Sequence, residues 1–251
     1  VQRFNWLFSF LLVLCASGST RAGAPWVRQE FSQVAAGGGI RSIILILNPH
    51  DATVSATLEL FGDDGAPQSL TINGVTASQF NVEIAAGGTK RLVVESSSEK
   101  ALLGWGRLTA NRTLASQLLF ELSSDGKLVT QAAVEPFRPV NQATVFVDTT
   151  EGNTGVALAN VSEASTILIG FTLRDEAGEV VETIHRNLPP RGHLAKFVSE
   201  LFKDVGELRG SLEIVSTGKI VLVTLQQTGL VLGTLPVITR PERLEVVSAG
   251  Q

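Results

Sequence analysis

The sequence predicts an all-β protein built from two tandem antiparallel β-sandwich domains. Three observations predict it. Short runs rich in Val, Ile, Leu, Thr and Phe are punctuated by Gly, Asp, Asn and Ser, the rhythm of strands joined by tight turns. Charged residues make up 18% of the chain, below the ~25% typical of globular proteins, which leaves little material for solvated helices. The same order of motifs also runs through the chain twice. Asn48-Pro49, the acidic turn Asp63-Asp64-Gly65, then Ile84-Ala85-Ala86-Gly87-Gly88, Gly106-Arg107-Leu108 and Val134 make the first pass. Asn160-Val161, Asp175-Glu176-Ala177-Gly178, then Leu188-Pro189-Pro190-Arg191-Gly192, Gly210-Ser211-Leu212 and Val237 make the second. Asn48 and Asn160 lie 112 positions apart, and Gly106 and Gly210 lie 104 apart. That spacing is too long for a solenoid repeat and suits a whole sandwich domain.

Residues 1–22 read as a secretory signal peptide, with an uncleaved signal anchor as the alternative. Arg3 supplies a positive start, Trp6 to Leu14 is apolar apart from Ser9, and small residues follow up to a cleavage point after Ala22. The apolar run is shorter than the ~20 residues a membrane span needs, so membrane contact is expected only through this leader. The first domain is then 23–138, with strands expected at 41–48, 53–61, 68–72, 78–84, 90–95, 102–109, 114–122 and 127–134. Gly37-Gly38-Gly39 precedes them as a flexible lead-in loop, since no helix-forming run follows to make it a phosphate cradle. Pro136-Phe137-Arg138-Pro139 is the inter-domain linker, because two prolines forbid a ladder strand through it. The second domain is 139–240, with strands at 144–148, 155–160, 166–174, 180–186, 194–198, 210–215, 219–226 and 230–237. A single helical turn is expected at 199–204, capped by Ser199. Residues 241–251 read as a flexible tail.

Three strands are apolar throughout instead of alternating: Ile43 to Leu47, Ile167 to Phe171 and Ile220 to Val223. A sandwich strand with one wet face should alternate. The simpler reading is shielding by neighbouring side chains. The sharper one is packing of outer sheet faces, either between domains or between molecules.

The formal net charge is −4, and loss of Arg3 and Arg21 with the leader makes it more negative. No basic stripe suggests nucleic-acid binding. The one cysteine, Cys15, lies in the leader, so stability rests on hydrophobic cores and not on disulfides. No nucleophile elbow and no phosphate loop is present, and no catalytic residue, cofactor or metal ligand set is assigned. His185 and His193 flank Pro189-Pro190 and could approach each other across that turn, although solvent-facing polar residues are the simpler reading. The acidic loop 148–153 has oxygen-bearing side chains but lacks the EF-hand spacing, so an Asx-rich turn is preferred over a calcium site. Trp105 sits inside a strand, where core or inter-sheet packing is its simplest role, and Trp26 follows the cleavage region. Trp26, Trp105, His185 and His193 are the candidates for ligand or partner contact. None of them recurs at matching positions of the repeat, so a specific site is expected in what differs between the copies or at their interface.

Phe31 through Pro49 with Phe61-Gly62-Asp63-Asp64-Gly65 resembles the opening of a group of uncharacterised secreted bacterial tandem β-sandwich repeat proteins. Leu188-Pro189-Pro190-Arg191-Gly192-His193, Phe197 to Phe202 and Leu235-Pro236-Val237 resemble that group's repeat unit. The resemblance implies an immunoglobulin-like sandwich, export, and a place outside the cell, at its surface or in the periplasm. The expected function is non-enzymatic: a structural or adhesive module acting through a protein partner or self-association. A carbohydrate-binding accessory module, with a glycan as partner, is the alternative.

Overall fold

The computed structural model describes residues 27–239. The predicted leader, Trp26 and the tail lie outside the described residues. The chain is all-β, with antiparallel sheets whose buried faces pack in the manner of a sandwich. The strands of the N-terminal half are β1 (Val27–Ala36), β2 (Ile40–Leu47), β3 (Val54–Phe61), β4 (Leu70–Ile72), β5 (Val75–Ala77), β6 (Gln79–Ile84), β7 (Thr89–Glu95), β8 (Leu102–Ala110), β9 (Ala115–Ser124) and β10 (Lys127–Val134). The C-terminal half contains β11 (Val140–Asp148), β12 (Asn153–Asn160), β13 (Ile167–Asp175), β14 (Val180–Leu188), β15 (His193–Phe197), the short helix α1 (Val198–Leu201), β16 (Arg209–Thr228), β17 (Val231–Leu235) and β18 (Val237–Ile238).

One sheet of the N-terminal half has the order β1-β8-β3-β6, and the other has β10-β9-β2-β7-β4-β5. The same neighbours recur in the C-terminal half. The first part of β16 lies between β11 and β13, and β14 follows on β13. The second part of β16 lies between β17 and β12, and β15 follows on β12. Strand β16 therefore serves both sheets of its half, where the N-terminal half uses two strands, β8 and β9. Period-2 alternation sends Ile44, Ile46, Leu58, Leu60, Leu118 and Phe120 into one core. It sends Val145, Leu158, Ile169, Phe171, Leu212 and Leu222 into another.

Several sequence expectations need correction. Strand β1 was missed, and it sits in a different sheet from β2. Gly37-Gly38-Gly39 is the corner between them and not a flexible loop. All three glycines have positive φ (95°, 59° and 82°), and a Cβ at Gly37 or Gly39 would run into the backbone oxygens of Ser98, Lys100 or Ser123. Residues 210–226 lie within one strand, β16, whose ladder with β11 shifts register where Val140 pairs with Ile220 and Gln142 with Val215. The run 230–237 is split into β17 and β18 at Pro236, which cannot donate to a ladder. The helical turn is at 198–201 and Phe197 precedes it. Ser199 does not cap it; the Glu200 carboxylate accepts the Phe197 N–H at 2.8 Å instead.

The repeat is carried by a polar network. Asn48 and Asn160 are both fully buried at strand ends. Asn48 Nδ2 donates to the carbonyls of Ala52, Ile84 and Ala85, and its Oδ1 accepts the His50 N–H. Asn160 Nδ2 donates to Ser165, Leu188 and Pro189, and its Oδ1 accepts the Ser162 N–H. Each asparagine ties the end of one strand to the turn that follows another. The carbonyls of Ile84 and Leu188 are buried, so these bonds satisfy backbone groups that water does not reach.

Candidate functional site

The two halves meet at a built junction. On β8, Leu108 and Gly106 face the core, so period-2 alternation turns Trp105 and Arg107 outward. Phe61 on β3 and Glu30 on β1 share that outer face. Outward-facing Ala159 on β12 and Val221 on β16 press against it, forming a small apolar cluster with Phe61 and Trp105. The Phe61 and Trp105 rings lie 4.9 Å apart, tilted by 32°. The Trp105 indole N–H donates to the Arg191 carbonyl at 2.6 Å.

Arg107 is the centre of this contact and is only 2% exposed. Its Nε donates to both Glu30 oxygens, at 3.0 and 3.2 Å. Its Nη1 reaches Glu163 and its Nη2 reaches the Val161 carbonyl, both in the C-terminal half. The guanidinium carbon lies 5.1 Å from the Trp105 ring centre, a cation–π arrangement in a dry site. Arg28 adds a second bridge to Glu163 at 3.1 Å. Burial pushes the Glu30 carboxyl above its ordinary value, and the neighbouring Arg107 charge offsets only part of that. The linker is pinned as well, since the Phe137 N–H donates to the Glu30 carbonyl.

A second contact joins two turns. The acidic turn at 63–65 meets the Pro189-Pro190-Arg191-Gly192 turn so closely that a Cβ on Gly65 would overlap the Pro190 carbonyl. The buried His193 ring places Nδ1 2.7 Å from Asp63 Oδ1, and its backbone N–H donates to the Asp63 carbonyl. Arg191 has φ 57°, a left-handed conformation that favours glycine, and the equivalent position of the first half is Gly87 with φ 63°. Its guanidinium lies 5.3 Å from the Phe61 ring centre. Arginine therefore occupies a glycine position where its side chain covers an aromatic ring.

The four sequence candidates go to different places. Trp105 and His193 are both buried in the junction. His185 is exposed on β14, with its ring over Gly170 of β13, and does not share the surroundings of His193. The approach of these two histidines across the proline turn does not occur, because β14 pairs with β13 while β15 pairs with β12. Trp26 lies outside the described residues. The junction residues Glu30, Phe61, Arg107 and Arg191 were not singled out from sequence. Their signal was available: Arg107 stands opposite Ser211, and Arg191 opposite Gly87, in the two passes of the repeat.

The acidic loop 148–153 is tied down internally. Asp148 accepts from the Thr150 hydroxyl and N–H, and Arg209 donates to Asp148 and Glu151 at 3.1 Å each. The Thr150 bonds, aided by Arg209, hold the Asp148 carboxyl down to about 2. Among the described residues, no three His, Cys, Asp or Glu side chains converge as a metal site would require.

The three apolar strands also separate. Outward-facing Val221 of β16 is covered by the other half. Ile43 of β2 is shielded by its ladder neighbours Val93 and Leu119. Leu168 of β13 is 43% exposed on an open face.

An apolar cleft of about 370 Å³ opens between the halves, floored by Ala35, Phe120, Gly155, Ala195 and Val223, with Gln33, Gln227, Lys196 and Glu200 among its polar lining residues. A polar hollow of about 810 Å³ lies on the outer side of the C-terminal half, lined by Phe146, Asp148, Glu151, Asp175, Glu176 and Arg209. No protein-family model matches this sequence, and no curated protein matches it. Among the described residues, no helix is long and apolar enough to cross a membrane.

Proposed function

We propose that this protein is an exported, non-enzymatic contact module, structural or adhesive, made of two tandem immunoglobulin-like sandwiches at 23–138 and 139–240. One observation carries the reading: the side chains with the richest chemistry, Trp105, Arg107 and His193, are consumed in welding the halves together. What remains accessible is sheet faces, sheet edges and the apolar cleft, which suit contact more than catalysis. The recurring strand order supports two copies of one domain. The pairs β2–β7 and β3–β8 correspond to the B–E and C–F pairs of immunoglobulin sandwiches, while β1 and β9 take opposite sheets from the first and last strands of that fold. The apolar N-terminal run supports export. The partner is a protein surface or another copy of the chain, outside the cell or in the periplasm.

Co-sedimentation tests this reading. Purified protein is mixed with isolated bacterial cell envelopes and the pellet is quantified. Saturable recovery, competed by unlabelled protein, is expected; protein that stays in the supernatant and turns over a substrate would reject it. The glycan-binding alternative loses its main support, because the Trp105 ring is buried and offers no stacking platform. The apolar cleft favours a different second reading, a small apolar ligand held between the halves. Ala195→Trp, which fills the cleft, should then abolish binding of an uncharged naphthylamine dye.

A further inference from the structure

We propose that a second copy of this chain docks by repeating the internal junction between molecules, with the outer face of β11, β16, β13 and β14 of one copy against the outer face of β9, β2 and β7 of the next. The inference rests on the contact-module reading and names its partner. Within one molecule, the junction joins the outer face of β1-β8-β3 to the outer face of β16-β12. Because the strand order recurs, each half has one face of each kind. Joining the halves consumes one of each and leaves one of each free. The two faces of this proposal are those two, so the contact continues an interface the molecule already builds.

Both free faces carry the residues such a contact needs. Phe146 is 53% exposed and Val215 48% on the C-terminal face, beside Leu168. Leu47 is 41% exposed on the N-terminal face, at the end of the continuously apolar strand β2. The turns correspond too. The free turn at 175–178 has the same hydrogen bonds as the docked turn at 62–65: Gly178 N–H to Asp175, and Gly65 N–H to Gly62. The free turn at 85–88 matches the docked turn at 189–192, with Gly88 N–H to Ala85 and Gly192 N–H to Pro189. Superposing the joint places Glu176 where Asp63 stands and Thr89 where His193 stands.

Charge is complementary at that point. The hollow beside Glu176 also presents Asp148, Glu151 and Asp175 against Arg209 alone. The incoming face brings Arg91, which lies on the same side of β7 as Thr89. The positions of Phe61 and Trp105 are taken by Arg174 and Arg209, so the intermolecular contact lacks the aromatic anchors of the internal one. It is therefore weaker and weakened by salt. It is also heterologous, two unlike faces meeting head to tail, so chains grow without closing.

Sedimentation velocity on the full chain tests this, up to about 1 mM, a range that reaches weak dissociation constants. The wild-type average mass should rise with concentration and fall back in high salt. Leu47→Glu and Phe146→Glu, both at exposed positions, should each remain monomeric with an unchanged melting temperature. An equimolar mixture of the two should form one-to-one dimers and nothing larger, because each variant keeps the face the other has lost. Glu176→Lys gives the same loss without touching an apolar residue. A wild-type protein monomeric throughout, self-association by either Glu variant, or a mixture that stays monomeric would each overturn the proposal. Envelope binding by a strictly monomeric protein would remove this inference and leave the contact-module reading standing. Head-to-tail assembly without envelope binding would retain the inference and narrow the function to self-assembly.

Discussion

Asn48 and Asn160 make the same hydrogen bonds in the two halves, whereas Arg107 and its counterpart Ser211 share only their place in the strand order. The first pair shows what a sandwich of this type needs in order to close. Strand ends and turns must have their backbone groups hydrogen-bonded, and a buried carboxamide does so with several bonds at once. The second pair shows what one half needs in order to hold the other. Trp105, Arg107 and Phe61 form a dry, charged and aromatic face, while Arg209, Ser211 and Arg174 leave the equivalent face wet. The two halves thus share a frame, and differences at a few outward positions accompany one joint and two open faces.

The largest expected effect breaks the comparison at Arg107. Arg107→Met leaves the Glu30 carboxyl buried without its cation, which should cost about 3–5 kcal/mol in denaturant unfolding. Ser211→Ala at the equivalent position should change stability by less than about 0.5 kcal/mol. The double variant Glu30→Leu/Arg107→Met should recover most of the loss; failure to recover would mean that the contacts to Val161 and Glu163 carry it instead.

The shared frame should respond symmetrically. Asn48→Ala and Asn160→Ala each orphan buried carbonyls and should each cost about 2–3 kcal/mol. Markedly unequal values in the same unfolding assay would show that the two networks are not equivalent.

A smaller asymmetry is expected at the glycine position of the turn. Gly87→Ala places a Cβ at φ 63°, with open space around it, and should cost about 1 kcal/mol through the backbone alone. Arg191→Gly relieves the same strain but removes the cation from the Phe61 ring, so the two effects should nearly cancel, to within about 1 kcal/mol. Thermal unfolding of both variants side by side would resolve the difference.

The smallest effect is one of pH. Asp148 is held down from 3.8 to about 2 by the Thr150 bonds and Arg209. A depressed carboxylate stabilises the fold above its unfolded value, and that stability is lost as pH falls from 3.8 towards about 2. Glu30 has the opposite sign. Its raised value means that its charged form costs stability near neutrality, and acid relieves the cost as pH falls through the raised value. Melting temperatures down the acid limb should therefore fall less steeply in Asp148→Asn than in wild type.

Much of the architecture was legible because it depends on local chemistry. The turn glycines, the strand-ending asparagines and the apolar runs announced strands and corners. Strand β1 was missed because Val27 to Ala36 mixes Arg, Gln, Glu and Ser with its apolar residues, and two of its polar members, Glu30 and Ser32, are buried. The role of Trp105 was half legible. A tryptophan within a strand suggests burial, but only the direction of its neighbours decides whether it enters the sandwich core or leaves it. His185 and His193 looked like a pair in sequence and became strangers, because the turn between them sends one strand to each sheet.

By itself, the sequence determined the class of fold, the positions of most strands and turns, and the order of motifs that recurs along the chain. Those follow from period-2 hydrophobicity and from residues that accept left-handed backbone, which act within a few positions of the chain. Only the tertiary structure decided that Arg107 meets Glu30 and Glu163, that Arg191 covers Phe61, and that one face of each kind remains open. Those contacts join residues from 56 to 130 positions apart along the chain. Burial of charge and removal of water, which give them their strength, exist only once both halves are in place.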